Sequence, residues 1–226
     1  MNPLLPADYL QRMREDDPEA YRSEVLGEFR AGVVTFLDAD MLAACVVEGR
    51  HELAPVDGTK YTAFTDPAGG SGKDAMTLAI AHAQGDRIVL DALRAWPPPF
   101  NPTGVVGEAA LLLKQYCVRD VVGDRYAGEW PREAFRSNGV RYTVAELNRS
   151  ELYLELLPTV NAGAVELLDD PKLLRELRGL ERRRGLAGRD RVDHRPGEHD
   201  DLANSVAGAV AAIAYERSSP KWGIAG

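Results

Sequence analysis

Residues 61–95 read YTAFTDPAGGSGKDAMTLAIAHAQGDRIVLDALRA. Three strand-like runs, 61–65, 75–83 and 87–95, are separated by a glycine-rich loop and by Gln84-Gly85-Asp86. Connections this short predict antiparallel neighbours. Downstream of Pro97-Pro98-Pro99 the pattern changes: helical over 105–116, a buried strand over 120–123, helical over 131–137 and a strand over 140–145. Strands that alternate with helices pair in parallel through crossovers. The expected fold class is therefore α/β, a mixed sheet of three antiparallel strands followed by parallel strands, flanked by helices.

On the N-terminal side, residues 8–30 are charged and interrupted by Pro18, with Tyr21, Val25, Leu26 and Phe29 on one helical stripe. A short helix over 41–47 can be capped by Asp38 or Asp40. The polar stretch 48–60, with Pro55 and Asp57-Gly58, reads as a linker. This divides the chain into a helical segment, 1–54, and a main domain, 55–226. Towards the C-terminus, 150–157 is helical again, and 165–168 and 173–184 lead into a charged, glycine-containing segment, 182–198, expected to be mobile. In the last element Leu202, Val206, Ala209, Val210 and Ile213 recur at helical spacing, while Ala203, Ala207, Gly208, Ala211 and Ala212 keep the helix thin enough to lie close on a sheet.

With 226 residues, 45% of them apolar, the chain can bury a core of one domain plus an appendage. A net charge of −8 excludes a basic coat for nucleic acid, so phosphate binding must come from a local patch or from bound cations. Cys45 and Cys117 form neither a zinc framework nor a disulfide scaffold, which fits a reducing cytoplasm. No stretch approaches the roughly 20 apolar residues that span a bilayer, and the first residues lack a signal-peptide pattern. A soluble protein with no membrane partner is expected.

Four aspartates sit where apolar elements end or begin. Asp66 closes 61–65, Asp124 closes Val121-Val122-Gly123, and Asp200-Asp201 open the C-terminal helix. Each has a structural role open to it: Asp66-Pro67 and Gly123-Asp124 can open turns, and Asp200 or Asp201 can cap the helix. Jointly they suggest more. Strand ends are where an open α/β sheet exposes its ligands, and two aspartates beside His199 exceed what one cap needs. Oxygen ligands suit Mg²⁺ or Mn²⁺, and two such ions about 4 Å apart stabilise both oxygens of an in-line phosphodiester displacement. In that arrangement Asp66 bridges both ions, Asp124 and Asp201 each hold one, and Asp200 and His199 orient them or act as weaker ligands. Whether Asp200 or Asp201 is the direct ligand stays open.

Tyr21-Arg22-Ser23-Glu24-Val25-Leu26-Gly27-Glu28-Phe29, Thr65-Asp66-Pro67-Ala68-Gly69-Gly70, Val122-Gly123-Asp124, Asn148-Arg149-Ser150-Glu151-Leu152-Tyr153 and Gly197-Glu198-His199-Asp200-Asp201-Leu202-Ala203 carry a resemblance across nearly the whole chain. The sequence resembles the C-terminal nuclease domain of bacteriophage terminase large subunits, which implies a ribonuclease H-like fold. It further implies a metal-dependent endonuclease, with Asp66, Asp124 and Asp201 as metal triad, that cuts concatemeric viral double-stranded DNA in the cytoplasm of the infected host. The partners implied are a packaging ATPase domain, joined through the residues before about 55, the portal and the small terminase subunit. ATP hydrolysis is not expected of this chain, because Gly69-Gly70-Ser71-Gly72-Lys73-Asp74 lacks the P-loop spacing and places Asp74 where a hydroxyl belongs. Nor does Ser71 form a nucleophile elbow.

Arg182, Arg183, Arg184, Arg189, Arg191 and Arg195, just ahead of the last helix, are candidates for phosphate contacts, as is Lys73 in the glycine-rich loop; a solvated charged loop is the alternative. His51 and His82 read as surface or packing residues, and His194 is undecided. Two other functions share part of the pattern. A junction resolvase or transposase would share the carboxylates but not the segments 21–29 and 148–153. A non-catalytic docking module for a capsid portal would use the acidic surface and the N-terminal helix.

Overall fold

The computed structural model describes residues 6–26, 33–124, 129–184 and 190–218. In chain order its elements are α1 (Ala7–Asp16), α2 (Pro18–Ala20), a π-helical turn (Tyr21–Val25), β1 (Val33–Thr35), α3 (Ala39–Ala44), β2 (Val46–Val47), β3 (Tyr61–Asp66), β4 (Met76–Gln84) and β5 (Arg87–Trp96). Then follow α4 (Pro102–Gln115), β6 (Asp120–Gly123), α5 (Trp130–Ser137), β7 (Arg141–Val144), α6 (Arg149–Asn161), β8 (Val165–Leu168), α7 (Pro171–Arg178), β9 (Leu180–Arg184), β10 (Asp190–His194) and α8 (Asp201–Ser218). The helix expected over 41–47 runs instead from Ala39 to Ala44: it starts earlier because the Asp38 side chain accepts from the N–H groups of Asp40 and Met41, and Val46–Val47 leave it to pair with β8 as a strand.

The main sheet has the strand order β2-β8-β5-β4-β3-β6-β7. β3, β4 and β5 form the antiparallel meander, turned at Gly85, whose φ of 55° suits a two-residue hairpin loop between Gln84 and Arg87. β6 and β7 add in parallel beside β3, and β8 and β2 in parallel beyond β5. This is the mixed sheet the sequence predicts, with two strands it did not assign: residues 165–168 are too short an apolar run to separate from a buried helix by periodicity, and Val46–Val47 read as the end of a helix.

Both faces of the meander are buried, so its strands read as continuous apolar runs. Ala63, Met76, Leu78, Ile80 and Ala92 face a core closed by α4 and α5, whereas Phe64, Ala79, Ala81, Ile88 and Leu90 face one closed by α6, α7 and α8. α8 lies very close: a β-carbon on Gly208 would overlap the Phe64 ring. The stripe of small residues exists for this contact.

The N-terminal segment joins both sheets, β2 as an edge strand of the large one and β1 as a partner of β9. The stretch 48–60 has no regular structure but is tied down, with Leu53 N–H donating to the Asp91 carbonyl (2.8 Å) and Arg50 paired with Glu166 (2.7 Å). The segment 182–198, expected to be mobile, contains instead most of the antiparallel pair β9 and β10, in register from Asp190 opposite Arg184 to His194 opposite Leu180. Its charges conceal the strand alternation because they pair with one another: Arg182 Nε donates to Asp190 Oδ2 at 2.6 Å. No helix among the described residues is long and apolar enough to cross a membrane.

Candidate metal-binding cleft

β3 and β6 run side by side with Thr65 opposite Gly123, so the next residue of each, Asp66 and Asp124, emerges at the same level of the sheet. Asp124 N–H donates to the Thr65 carbonyl (3.2 Å), and its own carbonyl accepts from the Tyr142 hydroxyl (3.1 Å). Gly123 makes room for that phenol, since a β-carbon there would collide with it. α8 is locked over the same end by Thr77, whose hydroxyl lies 2.8 Å from the Asp201 carbonyl and 2.6 Å from the Ser205 hydroxyl.

Asn204, fully buried one turn into α8, joins the carboxylates. Its Nδ2 donates to Asp66 Oδ2 at 2.8 Å and to Asp124 Oδ2 at 3.0 Å, while its Oδ1 is buried without a hydrogen-bond partner. Asp201 stands beside them, its Oδ2 accepting from the Ala75 N–H at 2.9 Å. Asp66, Asp124 and Asp201, distant in the chain, thus line one cleft of about 620 Å³ together with Asp74, Arg149, His194, His199 and Asp200. Donor atoms of Asp74, His199 and Asp201 lie within 4.8 Å of one another, as do those of Asp193, His194 and Asp200.

The adjacent aspartates face different partners. Asp200 is nearly inaccessible, with Oδ1 on Arg149 Nη1 (2.9 Å) and Oδ2 on the Tyr153 hydroxyl (2.8 Å). The capping reading of these residues is replaced by another: Oε2 of Glu176, on α7, accepts from the N–H groups of Leu202 (2.8 Å) and Ala203 (3.0 Å) at the start of α8.

The cleft concentrates negative charge. Burial pushes the Asp66 carboxyl up to about 8, against the Asn204 hydrogen bond and aided by the charges of Asp124, Asp201 and Asp200. Burial also raises Asp201, opposed by the Ala75 N–H and reinforced by Asp74. Glu176 rises to about 7, chiefly by burial.

The arginines proposed for phosphate contact are largely engaged within the protein. Arg182 is buried between Asp17 (2.8 Å) and Asp190, which leaves its guanidinium no face for a phosphate. Arg183 pairs with Glu181, Arg191 with Asp193 and Arg195 with Glu181. Arg189 and the Arg184 side chain lie outside the described residues. Lys73 is exposed, between two residues that line the cleft, Gly72 and Asp74. His51 and His82 are remote from the cleft, bonded to the Asp169 carbonyl and the Asp91 carboxylate.

Asp74, Arg149, Glu176 and Asn204 did not stand out in the sequence as site residues. For Asn204 a signal existed, since it lies three residues after Asp201 and so on the same side of the helix.

A mixed sheet whose central meander is extended by parallel strands, with carboxylates at two adjacent strand ends and a helix that brings Asp201 over them, is a ribonuclease H-like fold. No family model matches the chain, and no curated protein matches it in sequence. Among solved structures it has the fold of phage large-terminase nucleases. The nuclease of the large terminase from thermophilic phage G20c, with bound magnesium, superposes with a TM-score of 0.65 at 21% identity, over 80% of this chain and 98% of that one. The large terminase of bacteriophage HK97 gives 0.64 at 14% identity, over 94% of this chain and 52% of that one. The nuclease domain of large terminase subunit gp2 of bacterial virus Sf6 gives 0.57 at 15% identity, over 78% and 98%.

Proposed function

We propose that the chain is a metal-dependent endonuclease that cuts concatemeric viral double-stranded DNA during genome packaging by hydrolysing phosphodiester bonds in the Asp66, Asp124 and Asp201 cleft. One observation carries the reading: the Asp66 and Asp124 carboxylates meet on a single amide at 2.8 and 3.0 Å, with Asp201 in the same cleft, and burial, reinforced by the neighbouring carboxylates, pushes the Asp66 carboxyl up to about 8. Such a site favours a proton or a cation, and its all-oxygen core suits a hard divalent ion. Asp66 would bridge two Mg²⁺ or Mn²⁺ ions, Asp124 and Asp201 would hold one each, and Asp74 and His199 stand within reach on the Asp201 side. Bound there, the ions supply Lewis-acid stabilisation to the attacking and departing oxygens of an in-line displacement.

The chain's own groups hold this arrangement still. Tyr142 and the Thr65 carbonyl fix the Asp124 backbone, Thr77 fixes the start of α8, and Arg149 with Tyr153 keeps Asp200 turned toward them. For DNA to approach a protein of charge −8, cations must line its path. Lys172, Arg175 and Arg178 are exposed at three-residue intervals on α7, and Lys172 and Arg175 border a groove shared with His199 of the cleft. Residues 1–54 would link the nuclease, residues 55–226, to a packaging ATPase domain, acting with portal and small terminase subunit in the host cytoplasm. The roughly twofold greater length of the HK97 large terminase, about half of which this chain covers, supports that setting.

The test is direct. Purified protein with supercoiled plasmid and Mn²⁺ is expected to nick and linearise it, and Asp66→Ala, Asp124→Ala and Asp201→Ala each to abolish the cutting. Intact plasmid with Mg²⁺ and with Mn²⁺ would overturn the reading.

A further inference from the structure

The first N–H groups of a helix need acceptors, and the residue just ahead of the helix ordinarily provides one from its own side chain. At α8 that residue is Asp200, among the best capping types, followed by Asp201. Neither carboxylate takes that role. Asp200 accepts from Arg149 and Tyr153, Asp201 accepts from the Ala75 N–H, and the donors of Leu202 and Ala203 both go to Glu176 on a different helix.

This is a costly way to cap a helix. Glu176 is buried, its second oxygen, Oε1, has no hydrogen-bond partner, and Lys172 Nζ stands 3.7 Å away. Capping from α7 leaves a buried carboxylate oxygen unsatisfied, a cost that the adjacent Asp200, folded back on its own helix, would avoid. The cap is nevertheless held firmly: Leu173 and Leu177 anchor α7 in the core, and Gly179 lets the chain pass where a β-carbon would strike the Glu198 carboxylate.

We infer that Glu176 is a positioning residue for the cleft: by capping α8 from a neighbouring helix it releases Asp200 for Arg149 and Tyr153 and keeps the Asp200-Asp201 pair in the orientation that metal binding requires. The inference rests on the metal-dependent reading above. Without the Glu176 carboxylate, Asp200 is the nearest acceptor for the vacated N–H groups. Its turn toward them would abandon Arg149 and shift the backbone that carries Asp201.

Mn²⁺ binding to the DNA-free protein, followed by the electron paramagnetic resonance of free Mn²⁺, tests this without relying on cleavage. Glu176→Ala is expected to weaken binding by about 10- to 100-fold, the usual effect of removing a group that orients a ligand. Glu176→Gln, whose amide oxygen can accept the same two bonds, should recover most of that affinity. Because the effect runs through Asp200, the loss caused by Glu176→Ala should disappear in an Asp200→Ala background. Should Glu176→Ala fail to fold, Glu176→Asp, too short to reach both donors, carries the same expectation. Wild-type affinity in Glu176→Ala or, where that variant does not fold, in Glu176→Asp, or an undiminished Glu176→Ala loss in the Asp200→Ala background, overturns the inference and leaves the nuclease reading standing. Absence of Mn²⁺ binding by the wild-type protein overturns the nuclease reading itself.

Discussion

At the scale of single residues, the Asn204 amide holds together two carboxylates that would otherwise repel. Turning it over would aim its oxygen at both, so its orientation is forced even though Oδ1 then goes unpaired. Asn204→Asp places a third carboxylate in the contact. In a chelator this variant is expected to lose about 1–3 kcal/mol of stability, the usual cost of buried polar groups left without partners. Saturating Mn²⁺ should restore more of its melting temperature than it adds to the wild type; equal melting temperatures of both proteins in chelator would refute this. The raised carboxyls set a pH dependence. Asp66, up to about 8, and Glu176, up to about 7, keep protons in the folded state that the unfolded chain releases near pH 4. The stability this gives is full below pH 4 and is lost as pH rises through 7 and 8. In chelator the urea midpoint should therefore decline from pH 5 to pH 8, and Glu176→Gln should make the decline shallower. Asp66, Asp124 and Asp201 were legible because each bounds an apolar run. Asn204 and Glu176 did not stand out: the amide carries only the faint signal of its spacing from Asp201, and a glutamate among the charges of PKLLRELR looks like an ordinary surface position.

At the scale of elements, the site depends on how closely α8 approaches β3, and that distance is set by the Gly208 contact with Phe64. Gly208→Ala gains up to about 1 kcal/mol of helix propensity but overpacks the core at about 1–3 kcal/mol. A net loss in urea unfolding is expected, together with weaker Mn²⁺ binding, since Asn204 and Asp201 ride on the same helix. Gly107→Ala on α4 is the control: its nearest neighbour, Asn138 Oδ1, is an ordinary 3.8 Å away, so helix propensity alone should raise stability. A destabilised Gly107→Ala, or a Gly208→Ala more stable than wild type, would contradict this packing account. The meander and β6 were readable because both of their faces are apolar, and α8 because its small residues repeat at helical spacing. β9 and β10 were not, since cross-strand ion pairs write the strands in charged residues that a sequence reading takes for a loop.

At the scale of the whole molecule, a net charge of −8 opposes the approach of any polyanion, so DNA binding must be local and salt-sensitive. The arginines nearest α8 in sequence belong largely to internal ion pairs: Arg182 ties Asp17, at the start of α2, to Asp190, which opens β10. Among the described residues, solvent-facing cations near the cleft include Lys73 and those of α7, where Lys172, Arg175 and Arg178 share one side while Leu173, Glu176 and Leu177 turn inward. One short helix thus caps α8 from its inner face and presents three cations from its outer face. Replacing Arg175 and Arg178 together by alanine should weaken binding to duplex DNA of any sequence, because phosphate contacts carry no base information. The slope of log affinity against log salt should become shallower by about 0.9 for each phosphate that the variant no longer neutralises. The same double variant should bind Mn²⁺ as the parent does, since neither arginine lines the cleft. Fluorescence anisotropy of a labelled duplex between 50 and 200 mM salt, roughly the range over which phosphate neutralisation is most visible, measures both quantities. An unchanged slope would move the DNA path off α7, toward Lys73 between Gly72 and Asp74 of the cleft.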